Sequence, residues 1–403
     1  LKVEREKESA MLLQAGTPGE VGMSASRLQG VIQRAEGWVA QGITSALVLL
    51  VARRGVIVLH QAFGRLTSDS DASPVQLDTI YPITSLTKPI TATAVMALVE
   101  DGLLSLQRPV SDYIAEFVGE GKQAVMVHHL LTHTSGLRDE DVLAHAMKKK
   151  DSVSVPRAEE TQHPWINESL WLRYDAPLWR APGVEMCYSN FGYNLLGEIV
   201  RRVGGQSLAK LARDRIFEPL GMKDTFYAVP ESVRHRIVRR PADAPYAVGV
   251  VGPGLGTREH EELPWASGGV YSTAVDMATF AQMFLSRGSY GDARILSPAS
   301  VSEMTRNQIP GIGSRFGDEF FPEASWGLGW GIRGDKKALR YGSLHSPQTF
   351  SHQGAGGAFF WVDPVYDLVG VYFSVVLEMI DSLRSKTGFD LFMNAVTAAV
   401  VEA

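Results

Sequence analysis

Ser85 and Lys88 stand three residues apart, in the run Ser85-Leu86-Thr87-Lys88, at the head of an apolar segment. On a helix, residues at i and i+3 share one face a turn apart, so this spacing brings an amine within reach of a hydroxyl. A serine hydroxyl is a weak nucleophile until a neighbouring base takes its proton, and an amine can do so. S-x-x-K also recurs by chance, and a capping serine with a solvated lysine is the ordinary alternative. Residues 90–99 are almost wholly apolar, however, and so buried. A lysine entering such a helix needs a partner.

Two further groups carry suitable chemistry. Tyr188-Ser189-Asn190 follows the loop Ala181-Pro182-Gly183 and precedes a helix. A tyrosine beside a Ser/Lys pair can shuttle the proton that acyl transfer moves, and a neighbouring ammonium should lower the cost of its phenolate. Asn190 would offer an amide to orient substrate or lysine. Read by itself this triplet is a helix N-cap preceded by a packed aromatic. The third group, His352-Gln353-Gly354, ends a strand at the turn Ala355-Gly356-Gly357. Gly354 lets a substrate approach the backbone, and His352 is expected to point into the cleft. The amide of Ala355 could face that of Ser85 and form an oxyanion hole.

These residues need a frame. Residues 46–61 read as a hairpin around Arg53-Arg54-Gly55, with Gly55 free to take a positive φ. The nucleophile helix, residues 89–99, should stop near Gly102, and Pro89 is tolerated because it lies close to the helix start. Residues 193–203 form an amphipathic helix closed by Gly204-Gly205, and another begins at Ser207 and ends before Gly221. Strands return at 328–332, 348–352, 358–362 and 368–375, and a last helix covers 391–401. Strands therefore come from both chain ends. The expected fold is α/β (α+β): an antiparallel sheet built from both termini and flanked by helices, plus a mostly helical lobe. The expected boundaries are 1–108 with 265–403 for the discontinuous α/β domain, and 109–264 for the lobe with its cleft-lining loops.

Composition narrows the function. The 403 residues carry a net charge of −5, and no basic stripe is present beyond Lys148-Lys149-Lys150, which argues against a nucleic-acid binder. Cys187 is the only cysteine, which rules out an internal disulfide and a multi-cysteine metal site. No segment approaches the ~20 apolar residues of a membrane span. Residues 1–14 are charged and lack a signal-peptide core, which favours a cytoplasmic location. The partner expected is a small ester or amide, without metal or cofactor; the sequence sets no oligomeric state.

The three groups, in this order and spacing, resemble the serine β-lactamase and DD-peptidase superfamily, most closely its class C-like branch with the family VIII carboxylesterases. The resemblance runs from about residue 45 to 398 and takes in His133-Thr134-Ser135-Gly136-Leu137 and Ser267-Gly268-Gly269-Val270-Tyr271-Ser272, which look like scaffold segments of that branch. It implies Ser85 as nucleophile, Lys88 and Tyr188 sharing general base and acid roles, and Asn190 positioning the substrate. It also implies that residues 352–354 occupy the strand that carries Lys-Thr-Gly in class C β-lactamases. His352-Gln353 departs from that triplet and offers a weaker, conditional charge to a substrate carboxylate. Histidine here is similar to some DD-peptidase-like and D-amino-acid peptidase members.

Three look-alikes are set aside. Lys386-Thr387-Gly388 spells the family triplet but reads as a polar turn ahead of the last helix. Gly205-Gln206-Ser207-Leu208-Ala209 approaches a nucleophile elbow, yet a helix precedes it and Ser207 reads as an N-cap. His129 and His133 have zinc-ligand spacing, but no glutamate follows His129. Trp165, Trp171, Trp179, Trp265, Trp326 and Trp330 fall in irregular segments and suggest an aromatic-walled pocket suited to an ester. The expected activity is a carboxylesterase acting on short-chain esters through an acyl-enzyme. The alternatives are a β-lactamase or D-amino-acid-specific peptidase or amidase, an acyltransferase of the same fold, and an inactive binding protein on this scaffold.

Overall fold

The computed structural model describes residues 11–402 apart from 68, 70, 248–252, 317–318, 337–341 and 378–382. Residues 1–10, which carry most of the segment behind the expected location, lie outside the described residues. The frame is a sheet of seven strands: β1 (Gln14–Ala15), β2 (Thr44–Arg53), β3 (Val56–Gly64), β4 (Gly331–Ile332), β5 (Phe350–Gly354), β6 (Ala358–Asp363) and β7 (Leu368–Val376). Their spatial order is β1-β3-β2-β7-β6-β5-β4. All neighbours are antiparallel except β1 and β3, and β2 meets β7 with Leu50 opposite Val371. The mixed α/β architecture, with strands from both chain ends, is the expected one.

The β2–β3 turn explains itself locally. Arg53 pairs with Val56, so two residues make the turn, and both Arg54 (φ 49°) and Gly55 (φ 75°) are left-handed. A type I′ turn has this requirement, and its twist matches that of the flanking strands.

Each face of β2 feeds a different core. Val48, Leu50 and Ala52 pack with Ile90 and Ala94 of α2 (Thr87–Glu100) and with Met277 and Ala281 of a helix over Ala274–Leu285. Leu47, Leu49 and Val51 pack with Leu28, Val31 and Trp38 of α1 (Ala25–Ala40) and with Phe392 and Val396 of the last helix, Leu383–Thr397. Residues 47–51 are fully buried, and each such side chain contributes ~1.5–3 kcal/mol of transfer free energy.

α2 is longer than the apolar run predicted. It is entered through a 3-10 turn, Thr84–Leu86, and stops where Gly102 takes φ 71° and its N–H donates to the Val99 carbonyl. The expected 193–203 helix is α3 (Asn190–Gly204), capped by Ser189, whose Oγ accepts from the Gly192 N–H. Ser207 caps its helix through Lys210 N–H, as expected, so it is no nucleophile elbow.

Three expectations change. The strand expected at 328–332 shrinks to two residues, because Gly329 at φ 92° turns the chain. The last helix covers Leu383–Thr397 rather than 391–401. Lys386-Thr387-Gly388 therefore lies inside a helix and is neither a strand triplet nor a turn. No helix among the described residues is long and apolar enough to cross a membrane.

Candidate active site

α2, α3 and β5 converge on Lys88. Its stem is fully buried among apolar helix residues, so its amine needs nearby oxygens. Three supply them: Ser85 Oγ at 3.0 Å, Asn190 Oδ1 at 2.8 Å and the Ser267 carbonyl at 2.7 Å. Burial pushes the amine down to about 7, with Asp139 pulling it back up. A neutral amine has two N–H donors and one lone pair. Asn190 and Ser267 take the two donors, which leaves the lone pair for the Ser85 hydroxyl proton. The geometry supplies a base at the serine.

Tyr188 closes the other side. It lies beside Ser85, whose hydroxyl influences its titration, and Lys88 Nζ lies 4.8 Å from its ring centroid. The ring is held against His133 (centroids 4.2 Å apart), Trp326 (6.0 Å) and His352 (6.3 Å). The expectation of a cheapened phenolate is reversed: burial raises the phenol above its ordinary value, the neighbouring Ser85 hydroxyl lowers it by less, and Asp139 raises it further. Tyr188 is therefore a phenol at working pH, a proton donor.

His352 joins the cluster but not as an exposed cleft residue. It is buried, its Nδ1 is engaged by the Gln353 carbonyl at 3.0 Å, and Trp326 packs edge-on at 5.6 Å. Burial first, then the Lys88 charge, push it down to about 3. The conditional positive charge expected there is absent at neutral pH. Gln353 is half-buried and shares the other face of β5 with Ser351. Gly354 is required for a different contact than expected. A Cβ there would lie 2.4 Å from Thr84 Oγ1 and 2.5 Å from the Ile83 carbonyl, so the residue admits the nucleophile turn itself. Ala355 follows in the turn, and its carbonyl accepts from the Thr84 hydroxyl at 3.0 Å.

Sequence reasoning missed three contributors. Asp139 caps α3 at three points: it accepts from Ser189 Oγ (2.7 Å), Asn190 N–H (2.7 Å) and Phe191 N–H (3.2 Å). An acid at a helix N-terminus is favourable, and this one fixes the residue that holds Lys88. His133 has a bracing role. Its Nδ1 accepts from the Ser189 N–H at 3.0 Å and its carbonyl from the Cys187 N–H at 2.8 Å, so it braces both sides of Tyr188. His129 spends its Nδ1 on the Met126 N–H. Ser267 acts through its carbonyl, and Asn194 Oδ1 fixes its N–H at 3.2 Å. The only available signals were the acidic first turn that Asp139 opens and the family resemblance of the segments holding the other two.

The aromatic wall is smaller than expected. Trp330 is core, packed between Phe284 and Phe350 at 4.9 Å each. Trp179 stacks with Arg138, Arg180 and Arg315. Trp165 is exposed, and Trp171 packs on Tyr174. The Trp326 ring contacts His133, Tyr188 and His352 of the site. Among the described residues, no cluster of three His, Cys, Asp or Glu side chains could hold a metal ion. A cavity of about 60 Å³ is lined by residues that include Gln162, Asn194, Glu198 and Ala266, but not Ser85, Lys88 or Tyr188.

Comparison with known proteins gives the family and the fold. The Beta-lactamase family model matches residues 31–388. An uncharacterized protein of Mycobacterium tuberculosis is 30% identical over 360 residues, covering 82% of this chain and 86% of that one. A putative D-alanyl-D-alanine carboxypeptidase of Salmonella schwarzengrund is 26% identical over 398 residues, covering 88% and 84%. Among solved structures, a family VIII carboxylesterase superposes with TM-score 0.73 at 23% identity, covering 94% of this chain and 99% of that one. A penicillin-binding protein homologue from Caulobacter crescentus gives 0.72 at 24%, covering 94% and 99%. These structural likenesses speak to the fold. With the family model spanning most of its length, the chain belongs to the Beta-lactamase family, within the serine β-lactamase and DD-peptidase superfamily, and is a serine hydrolase of that fold.

Proposed function

We propose that the chain is a carboxylesterase that cleaves small neutral esters through an acyl-enzyme on Ser85. The observation that carries the chemistry is the Lys88 amine, held 3.0 Å from Ser85 Oγ and pushed down to about 7. In acylation, the Ser85 hydroxyl proton passes to Lys88 as Oγ attacks the ester carbonyl. The amides of Ser85 and Ala355 receive the developing oxyanion. The Tyr188 phenol gives its proton to the departing alkoxide and is reprotonated from the Lys88 ammonium, which leaves an ester on Ser85 and a free alcohol. Water then attacks that ester, with Lys88 and Tyr188 passing the protons in the opposite sense.

The preference for neutral esters rests on His352. A lysine on this strand starts from an ordinary value of ~10.4, far above the ~6.5 of histidine, and so would hold a positive charge over more of the working range. A histidine pushed down to about 3 offers a substrate carboxylate no charge-assisted bond. kcat/KM for p-nitrophenyl butyrate should therefore exceed that for a chromogenic cephalosporin or D-alanyl p-nitroanilide at pH 8. His352→Lys should narrow the gap by improving the carboxylate-bearing substrates. A wild-type enzyme that already favours the cephalosporin or the D-alanyl substrate would overturn the esterase reading. The second result would favour the activity in the name of the Salmonella relative.

A further inference from the structure

The residue before the nucleophile has an unusual backbone. Thr84 takes φ 49°, the left-handed region that L-residues other than Gly, Asn and Asp rarely enter and that is least tolerant of a branched Cβ. A glycine would occupy this position without strain. Where a strained conformer persists, the surrounding structure must hold it, and such residues cluster at functional sites. Here the side chain is buried, and its hydroxyl donates to the Ala355 carbonyl at 3.0 Å, across 271 residues of sequence. Gly354 makes room for this contact, since any Cβ there would collide with Thr84 Oγ1.

We propose that Thr84 is a positioning residue: its hydroxyl ties the nucleophile turn to the β5–β6 turn and so sets the spacing between the amides of Ser85 and Ala355. The proposal rests on the acyl-enzyme reading above. The two amides come from segments far apart in the sequence, and each lies in the same residue as, or the residue next to, an end of this one hydrogen bond. An oxyanion needs both donors within 2.7–3.1 Å, roughly, of one point, so a drift of a few tenths of an ångström between the turns weakens the hole without touching the base. The hydroxyl offsets the strain that a threonine brings to this φ. The strain and the bond are thus parts of one device.

Three variants separate the hydroxyl from the shape and the strain. Thr84→Val keeps the branched shape and removes the donor, Thr84→Ser keeps the donor, and Thr84→Gly relieves the strain and removes the donor. Loss of one whole oxyanion donor costs about 10²–10³ in kcat, and a loosened one should cost less, so Thr84→Val should lose roughly 10- to 100-fold in kcat on p-nitrophenyl butyrate with little change in KM. An alkyl boronic acid, which mimics the tetrahedral intermediate, should bind more weakly by a similar factor. The pH midpoint set by Lys88 should not move. Thr84→Ser should restore most of the activity. Thr84→Gly should be at least as heat-stable as the wild type yet slow. Wild-type kcat in the Val or Gly variant would overturn the proposal. So would a Ser variant as slow as Val, or a boronate affinity that stays constant while kcat falls. Failure of the wild type to take a fluorophosphonate on Ser85 would instead overturn the acyl-enzyme reading, before any Thr84 variant is measured.

Discussion

Two lysines are buried among the described residues, and only one has a serine hydroxyl among the partners identified for it. Lys122 sits in the 3-10 turn Lys122–Ala124, donates to the Tyr174 carbonyl and lies 4.3 Å from the Phe117 ring centroid. Burial pushes it down to about 8, with Asp175 pulling up and Lys149 down. Lys88 is pushed to about 7 by the same cause. Their basicities barely differ, but their surroundings do. The partners identified for Lys122, a carbonyl and a ring face, have no proton to give. Lys88 has two oxygens that fix its orientation and a third, Ser85 Oγ, that carries a transferable proton. Desolvation makes a base, and the third neighbour decides whether it has work. A lowered amine pKa alone would have nominated both residues.

The sharpest break of this contrast is at the nucleophile. Ser85→Ala should abolish ester turnover and fluorophosphonate labelling together, and mass spectrometry should place the wild-type adduct on Ser85. An adduct on Ser207 would transfer the site elsewhere. Lys88→Met and Tyr188→Phe should each lower kcat by ~10²–10⁴. Because they move one proton between them, the double variant should be little worse than the worse single, whereas fully multiplicative losses would mean independent roles.

A pH profile sharpens the comparison further. Only neutral Lys88 can accept the Ser85 proton, so kcat/KM should rise with pH through a midpoint of about 7. That midpoint should be the same in Lys122→Met. The smallest expected effect is on stability. Both folded amines lie below the ~10.4 of an unfolded lysine, so between the two values the unfolded chain binds more protons and stability rises with pH. Lys122→Met should flatten that rise in denaturant titrations from about pH 8 to 10 and leave turnover unchanged. Loss of turnover in Lys122→Met would erase the distinction between the two lysines.

What the sequence made legible follows from periodicity and residue type. Ser85 and Lys88 were visible because helical spacing dictates their meeting, and Tyr188 and Asn190 because a capped helix announces where it starts. β2, β6 and β7 were visible because they are long and apolar. Ser267 was not, because it works through a backbone carbonyl, which any residue type supplies. The bracing by His133 depends on a left-handed backbone, φ 58°, that no pattern predicts for histidine. The neutrality of His352 is a property of its burial beside Lys88 and so a tertiary fact. Trp330 misled because a core aromatic and a pocket aromatic read alike until packing is known. Two-residue strands such as β1 fall below any periodic signal.

The sheet that draws strands from both ends of the chain also sets a schedule for synthesis. Lys88 meets its partners 102 and 179 residues later, and Thr84 meets the β5–β6 turn after 271. At about 5–20 residues per second, the ribosome needs on the order of tens of seconds to deliver that last segment. β7, the neighbour of β2, is made later still, and a lysine without these partners is an ordinary ammonium. Contacts of such long range also close slowly once the chain is free. On the proposed mechanism, a nascent or truncated chain would therefore carry Ser85 without its base or its oxyanion donors, and hydrolysis would begin only when the chain is finished.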